Sequence, residues 1–227
     1  MKYGAVVFDL FGTLVDNWSA KENQQLVADM AVALGVSGEE FNRRWEGTRD
    51  ERLKWGHGGP LNSMGWVSQG LSDMVPPDRI NHAAQIHLGF IKNRLTPRAD
   101  AVETLAQLKA AGYKVGLITD CYADVSLLWA ETVLAQVVDA PVFSCDEGIK
   151  KPDARIYQLA CDRLGVAPSD CLYVGDGGSN ELSGASSFGM SAVQIRVPYK
   201  DDWAEAQAEE WHGPKVATLS DLLSLVN

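Results

Sequence analysis

Apolar residues along this chain fall into two alternating patterns. Continuous runs at Tyr3 to Phe8, Lys114 to Ile118, Pro141 to Ser144, Cys171 to Val174 and Ser191 to Ile195 each give way to polar or glycine-rich residues, the signature of strands buried on both faces. Between them the apolar positions recur at helical spacing. Ala101 to Ala111 carries Val102, Leu105 and Leu108 on one stripe and stops at Gly112, and Val125 to Val138, Ala154 to Leu164 and Leu219 to Val226 repeat the pattern. Strands that alternate with helices predict βαβ units and a mostly parallel sheet. Right-handed crossovers then cover both of its faces.

The stretch from Asp16 to Leu95 breaks this rhythm. It contains no strand-like run, whereas Glu22 to Leu34, Gly38 to Leu53 and Asp78 to Arg94 have helical periodicity, joined by a glycine-rich loop from Trp55 to Gly70. The expected architecture is therefore a doubly wound, Rossmann-like α/β core formed by residues 1–15 and 96–227, with residues 16–95 inserted as an α-helical cap. An insertion placed directly after the first strand overhangs the crevice at that strand's carboxyl end, where a lid excludes water and selects substrates. The tryptophans of this segment, Trp45, Trp55 and Trp66, read as packing residues.

Composition narrows the function classes. With 227 residues and 46% hydrophobic content the chain can bury a sizeable core, and a net charge of −10 disfavours nucleic acid or an anionic membrane as partner. A small-molecule substrate is expected. No secretory leader pattern and no span of bilayer length is present, so the expected location is cytoplasmic. Cys121, Cys145, Cys161 and Cys171 lack the paired spacing of a zinc site and read as buried, reduced thiols. Oligomeric state is not encoded in any pattern found here.

The strand ends hold the candidate chemistry. Asp9 and Thr13 follow the first strand, Thr119 and Asp120 the second, Lys150 and Lys151 lie beyond the third, and Asp176 and Glu181 follow the fourth. In a parallel sheet all four ends converge on one crevice. Carboxylates, a hydroxyl and a lysine gathered there suit a phosphoryl site, where the protein positions the group and offsets its charge. Asp9 is expected as nucleophile. Asp176, with Asp9 and the backbone carbonyl at Phe11, offers the hard oxygens that Mg2+ favours, while Glu181 orients metal-bound water from behind or simply starts a helix. Thr119 would hold phosphoryl oxygens, Thr13 and Asp120 would line the substrate site, and Lys151 would balance charge. Lys150 is expected to be solvated and Asp153 to start a helix.

This ordered set resembles the haloacid dehalogenase superfamily of hydrolases. Asp9 to Leu14 follows its first motif apart from Phe11, Thr119 its second, Lys151-Pro152 its third, and Gly175-Asp176 with Glu181 its fourth. The resemblance covers the core from Tyr3 to Ile195, and the insertion resembles the family's commonest cap.

Phe11 is the departure. In family phosphatases an aspartate at that position protonates the leaving group and then activates water, work that phenylalanine cannot do. General acid catalysis is worth about 10²–10⁴ in rate, so substrates with good leaving groups, such as acyl phosphates or anhydrides, remain open. Asp120 or Asp16 could substitute if the fold brings either into reach. The dehalogenase branch also carries an aromatic residue here and needs neither acid nor metal; Arg43, Arg44, Arg49 or Trp18 would then serve the halide. Retention of Asp176 favours magnesium-dependent phosphate hydrolysis over dehalogenation. A binding protein on a hydrolase scaffold is the third reading. Lys54 and His57 are candidates for touching the substrate from the cap.

Overall fold

The structure, a computed structural model, describes residues 2–196, 201, 206 and 208–226. Six strands, β1 (Ala5–Phe8), β2 (Lys114–Thr119), β3 (Ala140–Phe143), β4 (Cys171–Gly175), β5 (Ser191–Ile195) and β6 (Lys215–Val216), form one sheet in the order β3-β2-β1-β4-β5-β6. Every pairing is parallel. The central strands β1 and β4 are buried along their whole length, which explains why their sequences are continuous apolar runs without alternation. One face packs Leu105, Leu108, Val115 and Leu117 together with the C-terminal helix, and the other packs Ile118, Ile156, Tyr157 and Tyr173. The doubly wound α/β class expected from the sequence is the one found.

Among the described residues, the insertion between β1 and α6 (Ala101–Ala110) is wholly helical: α1 (Ala20–Leu34), α2 (Gly38–Gly47), α3 (Arg49–Lys54), α4 (Pro60–Ser68) and α5 (Pro77–Arg94). Ser19 starts α1 with a reciprocal capping box to Glu22, which satisfies two otherwise orphaned amides. Leu26, Met30, Phe41, Trp45, Met64 and Val67 give this segment its own apolar cluster. Its two ends meet beside the sheet, where Val15 bridges Pro97 and the Arg98 N–H donates to the Leu14 carbonyl at 2.9 Å. The segment therefore leaves and re-enters at one point.

Five elements differ from the sequence expectation, each for a local reason. The expected helix Gly38 to Leu53 is broken at Thr48, whose hydroxyl donates back to the carbonyls of Arg44 and Trp45 and closes α2. The expected helix Val125 to Val138 is α7 (Ala123–Leu128) followed by two 3-10 turns, because Thr132 turns extended and its side chain caps Ala135. The glycine-rich loop contains α4, started by Pro60 at its first turn and held by buried Met64 and Val67. β6 and α8 (Ser144–Glu147) are too short for periodicity to register. The remaining α-helices among the described residues are α9 (Ala154–Leu164), α10 (Glu181–Phe188) and α11 (Leu222–Val226). As expected, Asp153 caps α9. No helix among the described residues is long and apolar enough to cross a membrane.

Close approach of α9 to the sheet depends on Gly116 in β2. A Cβ there would stand 2.8 Å from Leu164 Cδ1 and 3.3 Å from Val7 Cγ2. Gly116→Val should therefore cost about 1–3 kcal/mol through overpacking, read as a lower urea midpoint with an unchanged denaturant slope.

Candidate active site

The chain leaves β1 where the strand order reverses, with β2 and β3 on one side and β4 to β6 on the other. Such a switch point opens a crevice at the carboxyl ends of the strands. Asp9 stands in it. Its backbone N–H still donates to the Val174 carbonyl at 2.9 Å, so the pairing of β1 with β4 fixes the residue while its carboxylate turns out of the sheet. Gly12, at φ +85°, then folds the chain away; a Cβ at this position would overlap the Asp176 carboxylate.

Lys151 is the centre of the site. Its ammonium donates at 2.6 Å to Asp9 Oδ1 and at 2.6 Å to Glu181 Oε2, and all three side chains are buried. Tyr173 OH donates to the same Glu181 oxygen at 2.8 Å, and the Gly177 N–H donates to Glu181 Oε1 at 3.0 Å. Asp176 accepts from the Gly178 N–H at 2.9 Å, and Asp120 Oδ1 accepts from the Lys151 N–H at 3.0 Å. Ser179 and Asn180 adopt left-handed backbone, at φ +58° and +52°, which swings Glu181 back under the crevice at the first position of α10. Gly175 clears its path, since a Cβ there would overlap the Glu181 carboxylate.

One cation faces too many carboxylates. Asp9, Asp176 and Glu181 each offer an oxygen, all within 4.8 Å of one another. Burial, and then the charge of Glu181, push Asp9 up to about 7 against the pull of Lys151. Burial also takes Glu181 to about 7, opposed by Lys151 and helped by Asp176. Asp176 rises to about 6 through burial and the charge of Asp9. Lys151 resists the effect of its own burial because Asp9, Glu181 and Asp120 hold its proton well above the usual lysine range.

Above these groups lies a cavity of about 330 Å³. Phe11, Asp120, Lys150 and the loop Gly178 to Glu181 line it from the sheet, and Asn17, Trp18, Arg49 and Leu53 from the helical segment. Phe11 packs edge-to-face on Trp18 at 5.1 Å, forming an apolar wall.

The sequence candidates separate here. Asp9, Phe11, Asp120, Lys151, Asp176 and Glu181 converge on the cavity. Thr13 and Thr119 are fully buried beneath it, their hydroxyls unpaired, and do not line it. Glu181 belongs to the carboxylate cluster itself. Lys150 is not merely solvated: it pairs with Asp50 of α3 at 2.8 Å, because α3 lies directly over the loop that carries it. Asp16 is exposed and does not line the cavity. Arg43 pairs with Glu39, and Arg44 is engaged by the Val67 carbonyl and the Trp66 ring, which leaves Arg49, of these three arginines of the helical segment, at the cavity. Lys54 pairs with Asp50, and His57 stacks on Trp66 at 4.5 Å, outside the site. Trp55 is 57% exposed rather than packed. All four cysteines are free and buried, and burial holds Cys121 well above the ordinary thiol range.

Asn17 and Tyr173 escaped the sequence reading. Tyr173 carried a signal, since a phenol inside a wholly buried strand must find a hydrogen-bond partner. Asn17 carried none.

The raised carboxylates fix a pH dependence. Between about pH 4 and 7 the folded protein binds protons at Asp9, Asp176 and Glu181 that the unfolded chain has released, so these groups make stability fall as pH rises through that window. In chelator, Asp176→Asn should therefore gain on the wild type between pH 5 and pH 7.5, measured by denaturant midpoints. A constant difference between the two proteins would refute the assignment.

Comparison with known proteins agrees with this geometry. The model of the haloacid dehalogenase-like hydrolase family matches residues 3–189. An (S)-2-haloacid dehalogenase of Burkholderia cepacia is 32% identical over 195 residues, covering 84% of this chain and 82% of that protein. A phosphatase of Mycobacterium tuberculosis is 30% identical over 208 residues, covering 86% and 88%. Among solved structures, the 2-haloacid dehalogenase of Pseudomonas syringae pv. Tomato superimposes with a TM-score of 0.71 at 25% identity, over 99% of this chain and 98% of that one. With the parallel sheet, the switch-point crevice and the family match over most of its length, the chain belongs to the haloacid dehalogenase-like hydrolases.

Proposed function

We propose that the protein is a magnesium-dependent phosphohydrolase that acts on a small phosphorylated metabolite through an aspartyl-phosphate at Asp9. The observation that carries this reading is the cluster of Asp9, Asp176 and Glu181 around one buried ammonium, Lys151. A haloalkanoate needs no such surplus of carboxylate. A divalent cation does, and hard oxygen donors left undercompensated by one lysine fit Mg2+. Asp9, Asp176 and the Phe11 carbonyl would hold it, with Glu181 beside them; the ion would supply charge compensation to the transferring phosphoryl group.

The residues then divide the work. Asp9 attacks phosphorus, the phosphorus–oxygen bond to the leaving group breaks, and the leaving group departs with the electron pair. Water then attacks the same phosphorus, the phosphorus–oxygen bond to Asp9 breaks, and inorganic phosphate leaves with the water's proton, restoring the Asp9 carboxylate. Lys151 favours the ionised form of Asp9 against the effect of burial and offsets phosphoryl charge. The buried hydroxyl of Thr119 has no partner, as expected of a donor kept for a phosphoryl oxygen that sinks past the present cavity wall. Phe11 donates no proton, so the leaving group must be good. Asp120, whose Oδ2 has no partner, is the remaining carboxylate on the cavity wall outside the cluster. Residues 16–95 act as the cap, closing the cavity with Trp18, Arg49 and Leu53 and excluding water.

A second reading, 2-haloacid dehalogenation through an ester at Asp9, draws on the wall formed by Phe11 and Trp18 and on Arg49, which would receive the halide.

Acetyl phosphate and 4-nitrophenyl phosphate should be hydrolysed with Mg2+ and not with chelator, and Asp9→Asn and Asp176→Ala should abolish turnover. Chelator-insensitive release of chloride from L-2-chloropropionate, without phosphate hydrolysis, would establish the second reading instead.

Across aryl phosphates, rates should fall steeply as leaving-group pKa rises, and Phe11→Asp should flatten the slope, with a gain for poor leaving groups approaching the roughly 10²–10⁴ of general acid catalysis. A wild-type enzyme insensitive to leaving-group pKa, with chemistry rate-limiting, would mean that another acid acts.

A further inference from the structure

The cavity is charged oppositely at its two ends. Its floor holds Asp9, Asp120, Asp176 and Glu181 against Lys151. Its rim holds Arg49 and Lys150, with Lys54 just behind, against Asp50, which Lys54 and Lys150 share. Arg49 has no ion-pair or hydrogen-bond partner among the described residues.

The rim is rigid as well as cationic. Arg52 is buried one turn after Arg49; its guanidinium lies 3.4 Å over the Trp45 ring and donates to the Trp45 carbonyl at 2.6 Å. The Leu53 carbonyl accepts from Ser144 Oγ at 2.5 Å, and the Gly56 N–H donates to the Cys145 carbonyl at 2.9 Å, so the end of α3 is fastened to the core on the far side of β3. With Arg52 clamped inward, Arg49 and Leu53, four residues apart, share the face over the crevice. The clamp spares binding the cost of ordering the helix backbone, so that only the exposed Arg49 side chain has still to be ordered.

Resting on the phosphohydrolase reading, we infer that the substrate carries a second anionic group, a carboxylate or its equivalent, remote from the phosphoryl group and held at the rim by Arg49 and Lys150. The phosphoryl group goes to the floor, where Lys151 and the metal ligands await it. The middle of the molecule lies along Phe11, Trp18 and Leu53. A neutral tail would forgo the pairing that the exposed Arg49 offers, and a cationic one would be repelled.

The test uses two inert ligands, phenylphosphonate and 4-carboxyphenylphosphonate, titrated calorimetrically into the full chain in Mg2+. The wild type should bind the carboxylated ligand about tenfold more tightly, the gain of one charge-assisted hydrogen bond at a partly exposed site. That ratio should shrink with salt. Arg49→Ala should bring it near one, Arg49→Lys should keep part of it, and Lys150→Met should lower it. Equal affinities in the wild type, a ratio preserved in both Arg49→Ala and Lys150→Met, or no binding of either phosphonate overturns the inference. Asp9-dependent hydrolysis of 4-nitrophenyl phosphate alongside equal affinities would remove this inference alone and leave the phosphohydrolase reading standing.

Discussion

The ammonium of Lys151, buried between Asp9 and Glu181, is the constraint on which the site depends. Taking an ion pair out of water costs several kcal/mol per ion, and only close, well-directed hydrogen bonds repay it. Three separate stretches of chain must therefore deliver their side chains to one point. β1 brings Asp9, the loop before α9 brings Lys151, and the turn after β4 brings Glu181. Much of the unusual backbone nearby follows from this requirement. Gly12 and Gly175 lack a Cβ because a carboxylate occupies the space, and Ser179 and Asn180 accept left-handed backbone to aim Glu181. The tyrosine inside β4 is placed to hydrogen-bond the same carboxylate.

A single lysine cannot balance this cluster. Burial, and after it the residual negative charge, raises the affinity of Asp9, Asp176 and Glu181 for protons, and the same field favours any cation small enough to enter. On the phosphohydrolase reading, protons and a divalent metal would compete for one set of oxygens. The folded state carries an electrostatic debt that its large apolar sheet faces offset.

The helical segment brings Arg49 to the cavity above this cluster. Its contacts with the core are specific and partly polar: His87 of α5 meets Asp124 of α7 at 3.0 Å, Lys92 meets Glu131, and Asp50 meets Lys150. Arg52 is held by aromatic faces and a carbonyl rather than a carboxylate, an arrangement that suits the weakly hydrated guanidinium. These contacts fix α3 over the crevice, so the cavity's roof is as well defined as its floor.

The sequence alone determined the alternation of strands and helices, the helical insertion after β1, and the residues at the strand ends. Each of these rests on local rules: apolar runs for strands buried on both faces, helical stripes, and the crevice at the carboxyl edge of a parallel sheet. Where local rules were silent, tertiary structure decided. Thr48 and Thr132 broke helices that periodicity alone would continue, and α4 formed in a glycine-rich stretch because Met64 and Val67 found a core to enter. No spacing in the chain could say that Glu181 joins the carboxylates, that Thr13 and Thr119 are buried outside the cavity lining, or that Arg49 reaches it while Arg43 and Arg44 do not. Those outcomes depend on how far each side chain stands from charges contributed by distant parts of the chain, a quantity that exists only once the sheet and the helices over it have packed.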